Sequence, residues 1–267
     1  MLVFMAAMSS ELKHVEPLVR EPRSLKLGGM PATLGKAGDF PVLLVQTGVG
    51  SQRAQAGVAA VLVEYKPEAI VSIGFAGSAA GAVHRGDLVI AEALESISFQ
   101  HVLDINVAPA TTPWNPSPRL AADQGLLRAC RQALRDGKQW HSGLMVSLPM
   151  IADPKLKRWI GERSGAIAVD MESYWAGEAA AQAKVPCIAV RSIVDGVKDW
   201  LPPMEHFGDE MGEINHWQSA FYFIGAPHRI FPAILIGFAA AAASRSLGRF
   251  AAGLLASWPR LRAEAIP

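Results

Sequence analysis

Three observations predict an α/β domain. Apolar runs of strand length recur through the first 200 residues, segments with helical spacing separate them, and glycine-rich turns or isolated acids follow several of the runs. The 267 residues allow one large domain or two small ones. Hydrophobic residues make up 51% of the chain, enough for a sizeable core and too many for a disordered protein. The 25 basic and 24 acidic residues nearly cancel, which excludes a protein that coats nucleic acid. Cys130 and Cys187 each sit in an apolar pattern, so neither a disulfide framework nor a cysteine-built zinc site is expected, and a reducing cytoplasm fits.

The stretch Met1 to Met8 is apolar with no basic residue before it, and reads as a buried first strand, Leu2–Ala7, rather than a signal peptide. Further strands are predicted at Val42–Thr47, Ala69–Ile73, Leu88–Ala93, Gly143–Leu148, Ile167–Met171 and Ile188–Val194. A helix over Ser51–Tyr65 aligns Ala54, Val58, Val61, Leu62 and Tyr65 for packing on a sheet. Pro118–Arg135 aligns Leu120, Leu127, Cys130 and Leu134, with Gly137 as its stop. Ser173–Ala183, rich in alanine, suits a close helix–sheet contact. Residues 95–117 and Asp195–Asp209 read as long loops of a length typical of active-site covers.

Beyond Ala226 the character changes, and the chain divides into a body, 1–226, and an extension, 227–267. Five arginines there face one acid, Glu264, giving +4 against −3 for the body. Ile230 to Ala243 is an apolar run of 14 residues, short of the roughly 20 that span a bilayer. Phe231, Ile234, Leu235 and Phe238, then Leu247, Phe250, Leu254 and Trp258, share a helical face opposite Arg245 and Arg249. Two readings follow: terminal helices docked on the domain, or two helices at a membrane interface that border the mouth of a site for a large lipid near the Leu201–Met204 loop, with Phe231, Ile234, Phe238, Phe250 and Leu254 lining an apolar groove.

Two glycine turns follow strands, Gly48-Val49-Gly50 and Gly74-Phe75-Ala76-Gly77-Ser78. Such turns let backbone N–H groups approach a sugar or an anion, and they are equally ordinary turn chemistry. Neither has dinucleotide or P-loop spacing. Asp170 and Glu172 follow an apolar strand, and strand alternation sends both to one side with Met171 opposite, unless both cap the helix that follows. Asp195 ends the apolar Cys187–Val194 strand beside Gly196, at the edge where α/β sheets bind ligands, or is a plain turn residue. Glu11 follows the first strand, as a functional acid or as a first-turn helix residue.

Taken in order, Ala7-Met8-Ser9-Ser10-Glu11, Thr47-Gly48-Val49-Gly50, Gly74-Phe75-Ala76-Gly77-Ser78, Ala168-Val169-Asp170-Met171-Glu172-Ser173 and Val190-Arg191-Ser192-Ile193-Val194-Asp195 resemble the purine-nucleoside phosphorylase / uridine phosphorylase superfamily. The likeness is strongest to the nucleosidases acting on methylthioadenosine and S-adenosylhomocysteine, and covers about residues 1–200. More narrowly, Ala152-Asp153-Pro154-Lys155, Leu201-Pro202-Pro203 and the arginine-bearing tail resemble the hopanoid-associated nucleoside phosphorylases, which act on adenosylhopane.

The resemblance implies a single three-layer α/β/α domain with a mixed central sheet. It implies cleavage of the N-glycosidic bond of an adenosyl-type nucleoside, with methylthioadenosine, S-adenosylhomocysteine or futalosine as alternative substrates and a non-catalytic nucleoside binder as the alternative class. Asp195 would protonate purine N7, which requires a raised pKa. Glu172 would hold the ribose hydroxyls and stabilise the cationic sugar, with Met171 against the ribose. Glu11 would act as base towards water, and Arg191 would orient Glu172 or Glu11 or contact an anionic nucleophile. Gly48, Gly50, Gly74, Phe75, Ala76 and Gly77 would line the substrate site, and Ser147, Met150 and Ile151 would border the base. Phe75 departs from the small hydroxyl residue usual there, and the base loop, with Pro149-Met150, is about two residues short. No metal or cofactor is expected, with inorganic phosphate open as co-substrate: retained Glu11 favours hydrolysis, the family name phosphorolysis. The expected partners are a small nucleoside, lipid-linked in the narrower reading, and a second copy of the chain. Phe99, His101 and Trp114 would be donated to a neighbour's site. The expected location is cytoplasmic, peripheral to the inner membrane if the tail meets lipid.

Overall fold

The computed structural model describes residues 1–134, 139–199 and 230–265. Its centre is four parallel strands: β4 (Phe40–Gln46) beside β1 (Leu2–Ala6), β1 beside β5 (Ala69–Ser78), and β5 beside β10 (Cys187–Asp195). They are apolar on both faces because helices cover both. Along β1, Leu2, Phe4 and Ala6 enter one core, and Val3 and Met5 the other. The first face is closed by α1 (Ser9–Leu12), α4 (Gln124–Ala133) and α7 (Ile230–Ala265), through Leu12, Leu126 and Leu247. The second is closed by α2 (Ser51–Glu64) and α6 (Ser173–Gln182), through Val58 and Ala180. This is the expected three-layer α/β/α architecture.

The sheet is mixed. β6 (Leu88–Ser96) runs antiparallel to β10, and β8 (Trp140–Ser147) runs parallel to β6 and to β9 (Ala168–Asp170). β9 returns antiparallel to β5 at Gly77 and Ser78, so β5, β10, β6, β8 and β9 close a ring. The C-terminal half of β5 therefore lies between two groups of strand ends.

Several elements differ from the sequence reading. A hairpin, β2 (Arg20–Leu27) and β3 (Met30–Ala37), extends the sheet from β4; its turn, Gly28-Gly29, uses the positive φ values of 53° and 85° that glycine tolerates. Residues 95–117 are not one loop, because Ser98 caps α3 (Phe99–Val107) by accepting from the His101 N–H at 3.2 Å. The helix expected from Pro118 begins only at Gln124, where Asp123 accepts from the Leu126 N–H at 2.8 Å; Leu120 lies instead in a short strand, β7 (Leu120–Ala121), beside β6. α5 (Pro154–Ser164) has a complete set of end signals: Asp153 accepting from the Leu156 N–H, Pro154 in the first turn, and Gly165 at φ 75°.

The C-terminal stretch forms one helix, α7, rather than two. Leu247, Phe250, Leu254 and Trp258 are fully buried with Phe4, Leu126 and Leu134. Gly248 and Gly253 permit this approach: a Cβ would stand 2.7 Å from the His14 carbonyl oxygen at one and 2.6 Å from that of Ala133 at the other. The Ser244 hydroxyl donates to the Ser10 carbonyl at 2.6 Å, next to Glu11. Phe250 and Leu254 therefore line no groove at a cleft mouth, because the apolar stripe finds the bare sheet between α1 and α4. Phe238 is exposed. The Leu201–Met204 loop, Gly137, and the side chains of Phe231, Ile234 and Leu235 lie outside the described residues. Among the described residues, no helix is long and apolar enough to cross a membrane.

Urea unfolding tests this docking. Phe250→Ala is expected to destabilise the chain by about 3–5 kcal/mol, and Phe238→Ala by less than about 0.5 kcal/mol. Equal, small effects would contradict a buried α7.

Candidate active site

The strand ends supply the side chains. Glu11 comes from α1 just after β1, Gly48 and Gly50 from the turn after β4, Gly74 to Gly77 from β5, Asp170 from the end of β9, Glu172 from the residue before α6, and Arg191 and Asp195 from β10. This is the carboxyl edge of the four parallel strands, with β9 entering from the opposite direction.

Arg191 is the centre of the arrangement. Its Nε donates to Asp170 Oδ2 at 2.8 Å, Nη1 to the Ser72 carbonyl at 2.8 Å, and Nη2 to the Ser72 hydroxyl at 3.0 Å. Asp170 is held in turn: the Ser147 hydroxyl donates to its Oδ1 at 2.6 Å and the Ser173 N–H to its Oδ2 at 3.0 Å. Ser147 also accepts from the Tyr174 N–H at 2.9 Å, so its hydroxyl is engaged inside the fold. Arg191 makes its side-chain bonds to Asp170 and Ser72 and acts on Glu11 and Glu172 through charge.

Glu11 is buried with both oxygens used. Oε1 accepts from the Phe75 N–H at 2.7 Å and Oε2 from the Met8 N–H at 2.9 Å. Burial pushes its pKa up, against the Arg191 charge and these N–H groups, which pull it down. Gly74 is obligatory here, because a Cβ would stand 2.8 Å from Glu11 Oε1 and 3.4 Å from the Arg191 guanidinium carbon. Phe75 therefore contributes its backbone to Glu11, while its ring packs on the core and Ala76 is buried below.

Asp170 and Glu172 do not share a side by strand alternation. β9 ends at Asp170, and Glu172 occupies the residue before α6 with φ −127° and ψ −31°, outside the strand. Glu172 Oε1 accepts from the Gly50 N–H at 2.8 Å, where Gly50 has φ 100°. Burial pushes Glu172 up to about 8, helped by the charges of Asp170 and Glu11 and opposed by Arg191 and the Gly50 N–H. Gly48, at φ 85°, ties β4 to β1 through its N–H to the Ala7 carbonyl at 3.0 Å. A cavity of ≈ 10 Å³, room for about one water, lies among Glu11, Glu172, Arg191, Ser72, Gly74 and Thr47.

Asp195 stands apart from that cavity, over Gly77, three residues further along β5 and thus about 10 Å away along the strand. It is buried and ion-paired with Lys157 of α5. Burial pushes its pKa up and Lys157 pulls it down. Lys157 is not evident from the sequence, because a lysine in the charged run Lys155 to Arg158 suggests solvent. Its signal is the stripe it shares with Ile160 and Gly161, three and four residues on.

The remaining expected residues are placed as follows. Met171 and Ile151 are half-buried, and Met150 packs against the cluster of Leu148, Ala152, Trp159 and Ile160. Of the residues expected to reach a neighbour's site, His101 is buried within its own chain and Trp114 is half-buried. His101 is buried with its ring 6.4 Å from that of Trp114 and 6.1 Å from that of Trp159, and Trp114 Nε1 donates to Glu95 at 3.1 Å. Phe99 is exposed. Among the described residues, no group of three His, Cys, Asp or Glu side chains could hold a metal ion.

The sequence model of the Phosphorylase superfamily matches residues 2–221. A 5'-methylthioadenosine/S-adenosylhomocysteine nucleosidase from Glaesserella parasuis is 26% identical over 194 residues, covering 71% of this chain and 83% of that protein. One from Aeromonas salmonicida is 26% identical over 203 residues with the same coverage. Among solved structures, the Neisseria meningitidis nucleosidase in complex with methylthio-immucillin-A superposes with a TM-score of 0.72 at 19% identity, over 96% of this chain and 98% of that one. A futalosine hydrolase mutant of Helicobacter pylori superposes with a TM-score of 0.67 at 17% identity, over 93% and 97%.

The carboxylate cluster makes a stability prediction with a definite sign. Glu172 holds its proton to about 8 in the folded chain and to the ordinary 4.5 when unfolded, so the folded chain binds more protons between these values and loses stability as pH rises through them. Glu172→Gln is therefore expected to raise Tm at pH 8 and to leave it unchanged near pH 4. A variant less stable than the parent at pH 8 would contradict the assignment.

Proposed function

The chain belongs to the phosphorylase superfamily, and from that premise we propose that it cleaves the N-glycosidic bond of an adenosyl-type nucleoside with water, releasing adenine. The observation that supports this most is the grouping of Glu11, Glu172 and Asp170 on the one guanidinium of Arg191, around a cavity of water size. Breaking the bond leaves a cationic sugar, and a surplus of carboxylates over cations favours that charge. A water beside Glu11 is deprotonated as it attacks C1′. Glu172, fixed by Gly50, faces the ribose. Asp195, beyond the cluster, gives the proton that the departing purine takes at N7. Phosphate is the poorer nucleophile at this place: its charge would meet Glu11 and Glu172, and the nitrogens of Arg191 are already donating to Asp170 and Ser72.

Methylthioadenosine is the first substrate to test, since the relatives with 26% identity carry that name. An adenosyl lipid is the narrower reading. With Phe250 and Leu254 in the core, its apolar route rests on the residues before Ala239, of which Phe238 is exposed. A homodimer is the proposed assembly. α3 exposes Phe99, Leu103 and Val107, spaced by four residues on one face, which suits an interface across a two-fold axis.

Adenine release, read by chromatography, tests the activity. The chain should release adenine from methylthioadenosine at a rate independent of added phosphate, and Asp195→Asn should lower kcat by about 10²–10⁴-fold. A rate that rises with phosphate, with methylthioribose 1-phosphate as the second product, would overturn hydrolysis. For the assembly, Leu103→Asp with Val107→Asp should convert a sedimenting dimer to monomer; a parent chain that is monomeric while active would refute it.

A further inference from the structure

Lys157 is the fully buried lysine of α5, and the reaction just proposed does not use it. Its ammonium donates to Asp195 Oδ2, to the Gly196 carbonyl at 2.7 Å and to the Asp199 carbonyl at 2.9 Å, so all three protons have acceptors. Two glycines clear the way for it. A Cβ on Gly161 would stand 2.1 Å from the Ala79 carbonyl oxygen, so glycine lets α5 reach the end of β5. A Cβ on Gly77 would stand 3.0 Å from Asp195 Oδ2 and 3.3 Å from Lys157 Cδ. The other charges facing Asp195 are Asp199 and Arg85, which pair with each other at 2.7 Å.

Anchoring α5 does not require a lysine. A buried ion pair is seldom more stabilising than apolar side chains of similar volume, so the charge needs another explanation. An acid that serves a leaving purine faces opposite demands: it must hold a proton before the bond breaks and surrender it as the bond breaks. Burial serves the first demand, and a fixed cation serves the second.

We propose that Lys157 is a positioning residue for Asp195, and that its ammonium stabilises the carboxylate left when Asp195 protonates the departing base. In that step the C1′–N9 electron pair passes to the purine and the Asp195 proton passes to N7. Lys157 keeps its three protons throughout, and solvent returns one proton to Asp195 in each turnover. The Lys157–Asp195 ion pair is the arrangement that follows proton transfer. The proposal rests on the N-glycosidase reading above and assigns to that reaction a group which acts through Asp195 and touches no substrate atom.

The test uses Lys157→Met, which removes charge and donors, and Lys157→Gln, which keeps a donor and removes the charge. In the substrate-free chain, the Asp195 carboxyl is titrated by carbon-13 NMR, its resonance assigned by its loss in Asp195→Asn. Both Lys157 variants should move the midpoint to higher pH by about one unit or more, a tenfold weaker acid. With methylthioadenosine, kcat should fall by about tenfold or more with KM changed less than about threefold, and the basic limb of kcat should move to higher pH. Adding Lys157→Met to Asp195→Asn should slow the reaction no further. An unmoved Asp195 midpoint with an unmoved pH limb would overturn the proposal, leaving Lys157 as an anchor. If Lys157→Met fails to fold, Lys157→Gln decides alone. A parent chain that releases no adenine from any nucleoside defeats the N-glycosidase reading, while the carboxyl titration still decides whether Lys157 sets the acidity of Asp195.

Discussion

One buried guanidinium for three carboxylates is the constraint on which the cleft depends. Arg191 sits where Asp170, Glu11 and Glu172 converge, and it bonds only the first of them. With full hydrogen bonding, the Arg191–Asp170 pair is close to neutral as a unit, and the two glutamates remain beside it without a cation of their own. Burial raises the pKa of both glutamates while the Arg191 charge and backbone N–H groups pull against it, a conflict between burial and ionisation. A substrate that becomes cationic at its sugar removes the conflict, which is electrostatic complementarity to a transition state rather than to a ground state.

The topology makes this convergence possible. Four parallel strands bring their carboxyl ends to one edge, and the antiparallel return of β9 sets Asp170 and Glu172 against the same stretch of β5. Gly74 under Glu11 and Arg191 and Gly77 under Asp195 keep the edge open at the points of contact, and Gly50, at φ 100°, presents its N–H to Glu172. α7 supports it from beneath, with Ser244 on the Ser10 carbonyl one residue from Glu11. The C-terminal helix is therefore connected to the segment that carries Glu11 through packing and a hydrogen bond.

The parallel strands were readable because burial on both faces makes them continuously apolar, and the acids because each follows such a strand. The β2–β3 hairpin was not, since β2 is largely exposed and carries a mixed, charged sequence; its signal was Gly28-Gly29. α3 and α5 are short, and their caps, Ser98 and Asp153, were clearer than their periodicity. Within the site, what sequence hides is pairing over distance. Ser72 lies 119 residues from Arg191, and Ser147 lies 23 from Asp170, so neither partnership leaves a local pattern. Lys157 is hidden for another reason: lysine is normally a surface residue, and only its shared stripe with Ile160 and Gly161 marks it as inward-facing.

The central claim is that the carboxylate surplus around Arg191 is matched to a cationic sugar. Calorimetric binding measures this directly, comparing methylthioadenosine on an Asp195→Asn background with an iminoribitol analogue whose ring nitrogen is protonated. The account predicts that the cationic analogue binds at least about 10²-fold more tightly, and that Glu172→Gln removes most of that preference. Equal affinity for the neutral and cationic ligands, or a preference unaffected by Glu172→Gln, would contradict it.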